Sequence, residues 1–234
     1  LGIVYDEATL LTILDFAEEK NIHVVSDEIY AGSMFGGDSP PFESIVNVAM
    51  RRNIALGRGG SIGDNVHVVH SISKDLALSG LRVGALYSEN EEVLNIVRKL
   101  NDMCQVSSQT QLLIEGMMDD VGEEGWMGSF LEELRRLKVQ RWGELRGILE
   151  EHNVDYLEPE GGMYAWVDLR KYLGEGGEEE LFDVLVEDYG VMFTPGLSMY
   201  MGEGGHFRIV FTAATEEDWV EAKKRLSSFF RDNK

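Results

Sequence analysis

Apolar and polar positions along the chain follow two periods that alternate. Residues 6–20, DEATLLTILDFAEEK, set Leu10, Leu11, Ile13, Leu14 and Phe16 among acids, which predicts an amphipathic helix capped by Asp6. NIHVVSDEIY then turns to the short apolar run of a buried strand. VHVVHSIS and RVGALYS predict two further strands, and NEEVLNIVRKLNDM predicts a helix. Between them RRNIALGRGGSIGDN, residues 51–65, reads as a surface loop, because its glycines do not fall as G-x-G-x-x-G and no strand immediately precedes it. From Trp126 to about His152, Trp126, Phe130, Leu134, Leu137, Leu145 and Ile148 recur at three- and four-residue steps, the stripe of one long helix. GGMYAWVDL and HFRIVFTA predict strands, with helices at about 178–189 and 216–231. Strands separated by helical stretches indicate an α/β fold with a mainly parallel sheet over residues 1–125. Residues 126–150 then form a connecting helix, and 151–234 a smaller α+β domain.

Composition narrows the function. The chain has 234 residues, is 44% hydrophobic, and carries 42 acids against 21 lysines and arginines, a net charge of −21. That balance argues against nucleic-acid or anionic-membrane partners, so an anionic ligand must be held by a few placed groups. The one cysteine, Cys104, excludes an internal disulfide and is expected to be a small buried hydrophobe on a helix. No Cys/His cluster has zinc-ligand spacing, so no metal is expected. A reducing, cytoplasmic setting follows, and no apolar run approaches the length of a membrane span.

Candidate chemistry gathers in three short motifs. SDEIY puts Asp27 at a strand end with Tyr30 three residues on; SISKD supplies Ser71, Ser73 and Lys74; Arg82 follows in GLRVG. In an open parallel sheet, the carboxyl ends of strands share one edge where ligands bind, so the motifs are expected to converge. Each residue type answers one need of pyridoxal 5'-phosphate. Lys74 would supply a Schiff-base amine, Asp27 a carboxylate for the ring nitrogen, Ser71 and Arg82 a hydroxyl and a guanidinium for the phosphate, and Tyr30 a hydroxyl for the 3-oxygen. Glu28, Asp75 and Ser73 lie inside the motifs without an assigned ligand. The histidines share no catalytic spacing and read as structural, and the Met-rich stretches read as packing.

The run Ser71-x-Ser73-Lys74-x-x-Ala77-Leu78-x-Gly80-x-Arg82-Val83-Gly84 resembles the lysine signature of the class I/II aminotransferases, which are fold-type I pyridoxal-phosphate enzymes. Within that superfamily KNIHVVSDEIYAGSMF, HSISKDLALSGLRVGALYS, VSSQTQ, GGMYAWVDLR and TPGLSMYMGEGGHFRIVF look most like segments of the 1-aminocyclopropane-1-carboxylate synthases. The resemblance implies that Asp27, Tyr30, Ser71, Lys74 and Arg82 bind the cofactor and that Lys74 also moves the substrate's α proton. It further implies that Arg208 grips the substrate α-carboxylate and that the full-length protein is a homodimer. The family pattern places an Asn-Pro pair immediately before Leu1, preceded by a glycine-rich phosphate turn and a ring-stacking aromatic residue. The chain is therefore expected to be a C-terminal portion, with a partial large domain and poor activity alone. Three functions stay open: a synthase that converts S-adenosylmethionine to the cyclopropane amino acid and methylthioadenosine, an amino-acid transaminase, and a non-catalytic cofactor-binding regulatory module.

Overall fold

A computed structural model describes residues 2–36, 42–119 and 125–233. They form two compact units, one of residues 4–34, 42–119 and 125–133, the other of residues 134–233 with 2–3 and 35–36. The first is called here the N-terminal unit and the second the C-terminal unit.

In the N-terminal unit, helix α1 (Glu7–Lys20) starts where Asp6 accepts a hydrogen bond from the Thr9 amide, and it stops at Asn21 in the left-handed conformation. Strand β1 (Val24–Asp27) follows, then α2 (Ile45–Ala55), β2 (Val66–Ser71), the short α3 (Ile72–Asp75) and β3 (Gly84–Ser88). Next come α4 (Glu91–Asn101) and α5 (Ser108–Met118). Leu10 and Leu14 of α1, Ile45, Val48 and Ala49 of α2, and Val66 and Val68 of β2 pack into one core. Helix α2 overlaps the stretch expected as a loop, and only residues 56–65 fit that expectation. Ser44 caps α2 and Ile45, Val48 and Ala49 give it a buried face; on that same face, one turn past Val48, Arg52 pairs with Asp15 and Glu18 of α1. Those partners lie too far back in the sequence to be read locally.

The sheet order is β1-β2-β3. β1 and β2 run parallel, with Asp27 opposite Val69, whereas β3 runs antiparallel to β2, with Gly84 opposite Ser71. The sheet is thus mixed rather than mainly parallel. The link from β2 to β3 holds only four residues of α-helix and one 3-10 turn, too little for a crossover that returns the chain to the start of a parallel neighbour. Behind the sheet edge His67 is buried, its Nε2 2.7 Å from His23 Nδ1 and its Nδ1 2.8 Å from Ser88 Oγ. Burial, then the His23 charge, lowers its pKa. Cys104 departs from expectation: α4 ends at Asn101, and the thiol is exposed just beyond it.

The long helix α6 (Trp126–Glu151) continues into the C-terminal unit, which holds β4 (Asp155–Leu157), β5 (Tyr164–Asp168), α7 (Gly177–Glu187), β6 (Thr194–Pro195), β7 (His206–Val210) and α8 (Glu216–Asp232). Its sheet is antiparallel, in the order β4-β5-β7-β6. Val167, Phe207 and Phe211 from the sheet side meet Leu145, Leu149, Leu185, Phe229 and Phe230 from the helices. Among the described residues no helix is long and apolar enough to cross a membrane.

Glu144 ties α6 to α8 by accepting from Trp219 Nε1 at 2.8 Å and Lys223 Nζ at 2.5 Å. The Lys223 ammonium is the main reason its pKa falls from 4.5 to about 2. A carboxylate depressed in the folded state stabilises above its unfolded pKa and loses that contribution as pH drops through the folded one. After discount for its partial exposure, Glu144→Gln should cost about 1–2 kcal/mol at neutral pH. In urea titrations it should also flatten the acid loss of stability between pH 4.5 and about 2. An unchanged acid limb would contradict this role.

Candidate functional site

The parallel pairing of β1 and β2 brings their carboxyl ends to one edge of the N-terminal sheet. Asp27 ends β1 and is exposed, with Oδ1 accepting from the Ile29 amide at 3.2 Å. Tyr30 sits half-buried in the turn that follows. At the end of β2, Ser71 has extended backbone and its Oγ accepts from the Ser73 amide at 3.0 Å, so the strand passes directly into α3. Its hydroxyl also donates to Ser73 Oγ at 2.6 Å. Lys74 rises from that single turn, half-buried, and among the described residues no hydrogen bond or ion pair engages its amine. Arg82 stands two residues before Gly84, the register partner of Ser71, and so near the same edge. Its backbone is left-handed, with φ 55°, and its Nη1 donates to the Ser79 carbonyl at 2.9 Å.

Two carboxylates left without a ligand in the sequence reading organise this edge. Asp75 is only 6% exposed and accepts from the Gly32 amide at 2.8 Å and from Ser33 Oγ. A side chain at Gly32 would bring a Cβ 3.0 Å from Asp75 Cγ, so glycine is what lets the turn approach. Glu28 is also buried; its Oε1 accepts from Ser26 Oγ at 3.2 Å, from Ser44 Oγ at 3.0 Å and from the Ile45 amide at 3.0 Å, which places an anion at the start of α2. His70 Nδ1 lies 3.0 Å from the Glu28 carbonyl, closing the strand ends together. The signal that could have found Asp75 is the Ala31-Gly32-Ser33 turn, whose amide and hydroxyl need an acceptor.

Arg208 lies in the C-terminal unit, on β7, opposite Trp166 of β5 on one side and Thr194 of β6 on the other. Its guanidinium carbon sits 4.4 Å from the centre of the Tyr164 ring, a cation–π contact that fixes its plane. The Nη2 contact to Thr194 Oγ1 is long, at 3.5 Å, and the buried Nε has no hydrogen-bond partner among the described residues. A guanidinium held flat, with an unsatisfied Nε and no carboxylate from the described residues on it, is suited to a planar anion from outside.

A lysine amine, a carboxylate, hydroxyls and a guanidinium at one sheet edge match the donor set that pyridoxal phosphate requires, and the unengaged Lys74 amine fits its aldehyde. Among the described residues no cluster of His, Cys, Asp and Glu could hold a metal ion.

The fold and this edge define a fold-type I, pyridoxal-phosphate class of α/β protein, present here as a partial large domain with a smaller C-terminal unit. The family model for aminotransferase class I and II matches residues 1–226, and the chain belongs to that family of pyridoxal-phosphate enzymes. Among curated relatives it is 37% identical over 237 residues to 1-aminocyclopropane-1-carboxylate synthase 1 of Prunus mume, covering 100% of this chain and 46% of that protein. It is 35% identical to 1-aminocyclopropane-1-carboxylate synthase 11 of Arabidopsis thaliana, covering 100% of this chain and 49% of the relative. The chain thus spans about half the length of the curated relatives it matches. Among solved structures, Bna3p from Saccharomyces cerevisiae, described as a putative kynurenine aminotransferase, superimposes with a TM-score of 0.81 at 22% identity, over 100% of this chain and 55% of that one. At that identity the likeness speaks for the fold.

Removing the Asp75 carboxylate should loosen the edge. Asp75→Ala should cost about 1–3 kcal/mol by stranding the buried Ser33 hydroxyl and removing the acceptor of the Gly32 amide, and should speed hydrogen exchange at that amide. Asp75→Asn should be milder, since its carbonyl can still accept from Gly32 while its amide donates to Ser33 Oγ. Unchanged exchange at Gly32 in Asp75→Ala would show that the contact carries no load.

Proposed function

We propose that the chain is the C-terminal portion of a pyridoxal-phosphate-dependent enzyme acting on an α-amino acid, with 1-aminocyclopropane-1-carboxylate synthase chemistry. The observation that carries the cofactor assignment is the Lys74 amine, free of partners among the described residues, at the sheet edge that also bears Asp27 and Ser71. In this reading residues 1–125 are the C-terminal part of the cofactor-binding large domain, 126–150 the connecting helix and 151–234 the small domain. The whole protein is a cytoplasmic homodimer, and residues 1–234 alone turn over little because much of the cradle lies elsewhere in the longer protein.

Bound at this edge, pyridoxal phosphate supplies an aldehyde carbon and an electron sink for negative charge developing at the substrate's α-carbon. Lys74 would hold the cofactor through its amine, and the same amine, when free, would take the substrate's α proton as general base. Asp27 keeps a proton on the ring nitrogen by its negative charge. Ser71 and Arg82 hold the phosphate, and the Tyr30 hydroxyl donates to the 3-oxygen. Arg208 clamps the substrate α-carboxylate through a two-pronged contact that lysine could not reproduce.

Deprotonation at the α-carbon is common to two outcomes. In the synthase the α-carbon displaces the sulfonium from the γ-carbon, forming a carbon–carbon bond and releasing methylthioadenosine. In a transaminase water would supply the carbonyl oxygen of a departing keto acid, and the amino group would be passed on to a keto-acid acceptor. Identities of 34–37% to named synthases along nearly the whole chain support the first. A non-catalytic cofactor-binding regulatory module is the third reading, and it would retain the same residues without turnover.

A protein of full family length should convert S-adenosylmethionine to the cyclopropane amino acid and methylthioadenosine, followed by mass spectrometry. Keto acids formed from alanine, aspartate or aromatic amino acids with a keto-acid acceptor, with S-adenosylmethionine untouched, would make it a transaminase. No product from any of them, with cofactor bound, would favour the regulatory module.

A further inference from the structure

Glu178 is a buried carboxylate that the proposed chemistry does not use. It lies in the first turn of α7 and is 5% exposed. Its Oε1 accepts from the Leu197 amide at 2.9 Å and its Oε2 from the Gly205 amide at 2.5 Å. Those two amides stand at opposite ends of the loop joining β6 to β7, so one carboxylate spans the loop's stem.

The stem needs that support. β6 has only two residues, Thr194 and Pro195, which pair with Arg208 and Phe207 of β7, and so short an edge strand has little pairing energy of its own. Beyond it the Gly196 amide bonds the His206 carbonyl at 2.7 Å, and the Met201 amide closes back on the Gly196 carbonyl at 3.0 Å. At the other end Gly205 is buried with φ +100°, and a Cβ there would meet Arg170 Cγ at 2.6 Å. Its carbonyl accepts from the Leu169 amide at 2.7 Å. Without Glu178 the Gly205 amide would be a buried donor with nothing to bond.

The stem bears on Arg208 through Thr194. Among the described residues Thr194 Oγ1 is the hydrogen-bond acceptor that meets the guanidinium, at a loose 3.5 Å, and Thr194 lies two residues before Gly196. A shift of the stem therefore moves the group that sets the edge of the guanidinium, while the Tyr164 ring still supports its face. We infer that Glu178 is a positioning residue that aims Arg208 at the substrate carboxylate by pinning the β6–β7 stem, an inference that rests on the carboxylate reading of Arg208.

The test uses the full-length holoenzyme with Glu178→Gln, Glu178→Ala and Arg208→Lys. Glutamine keeps one acceptor oxygen and replaces the other with a donor, so it breaks one of the two bonds and preserves volume. Binding is measured by calorimetry for two pairs differing only in the carboxylate: S-adenosylmethionine against its decarboxylated form, and alanine against ethylamine. KM and kcat are measured for whichever carboxylate compound is turned over. Glu178→Ala should raise KM, and weaken binding of the carboxylate member of the pair, on the order of tenfold, with kcat changed less than about twofold. Glu178→Gln should do the same to a smaller degree, and the decarboxylated compounds should bind as before. Hydrogen exchange at the Gly205 amide should speed in both variants. If Glu178→Ala does not fold, Glu178→Gln decides alone. If Arg208→Lys weakens carboxylate binding while the Glu178 variants leave it unchanged, or lower kcat with KM constant, the positioning role is wrong and the Arg208 reading stands. If Arg208→Lys itself leaves carboxylate binding unchanged, the Arg208 reading is wrong and the positioning role falls with it.

Discussion

A buried charge beside Lys74 sets the geometry on which the N-terminal site depends. Asp75 has almost no access to water, and a carboxylate in that position persists only if protein donors replace its hydration. The Gly32 amide and the Ser33 hydroxyl do so. The turn after β1 and the helix after β2 are thereby joined: Asp27 and Tyr30 stand on one, Ser71 and Lys74 on the other. Parallel pairing aligns the two strand ends, and Asp75 fixes the turns beyond them.

The same device recurs where the backbone must hold an irregular path. Glu28 ties the end of β1 to the start of α2, and Glu178 spans the stem of the β6–β7 loop. In a chain with a net charge of −21 most acids face solvent, yet these three turn inward and take the place of water for backbone amides. Each bond to an ionised acceptor is stronger than a neutral one and loses more when removed. The buried Nε of Arg208 is the opposite case, a donor with no partner among the described residues. A buried donor of that kind can be satisfied only by an acceptor that the described residues do not supply.

Local pattern revealed much of the fold. The apolar stripes of α1, α4, α6 and α8 and the apolar runs of β1, β2, β5 and β7 were legible because each depends on side chains close in sequence. Helix α2 was hidden because Arg52 and its α1 partners are distant along the chain, and β4 and β6 because two or three residues carry too little periodicity. The antiparallel direction of β3 follows from how little chain links it to β2, which strand pattern alone does not report. The sheet-edge places of Ser71, Lys74 and Arg82 were legible because one motif holds all three. Asp75, Glu28 and Glu178 were not, because an acid in sequence reads as a solvated charge until the fold supplies its amide partners.

The central claim is that Lys74 carries the cofactor, and chemical trapping tests it most directly. The full-length protein, incubated with pyridoxal phosphate, reduced with borohydride and digested, should yield one modified peptide, the one containing Lys74, and the Lys74→Ala variant should yield none. Modification at a different lysine, or labelling that survives Lys74→Ala, would contradict the account.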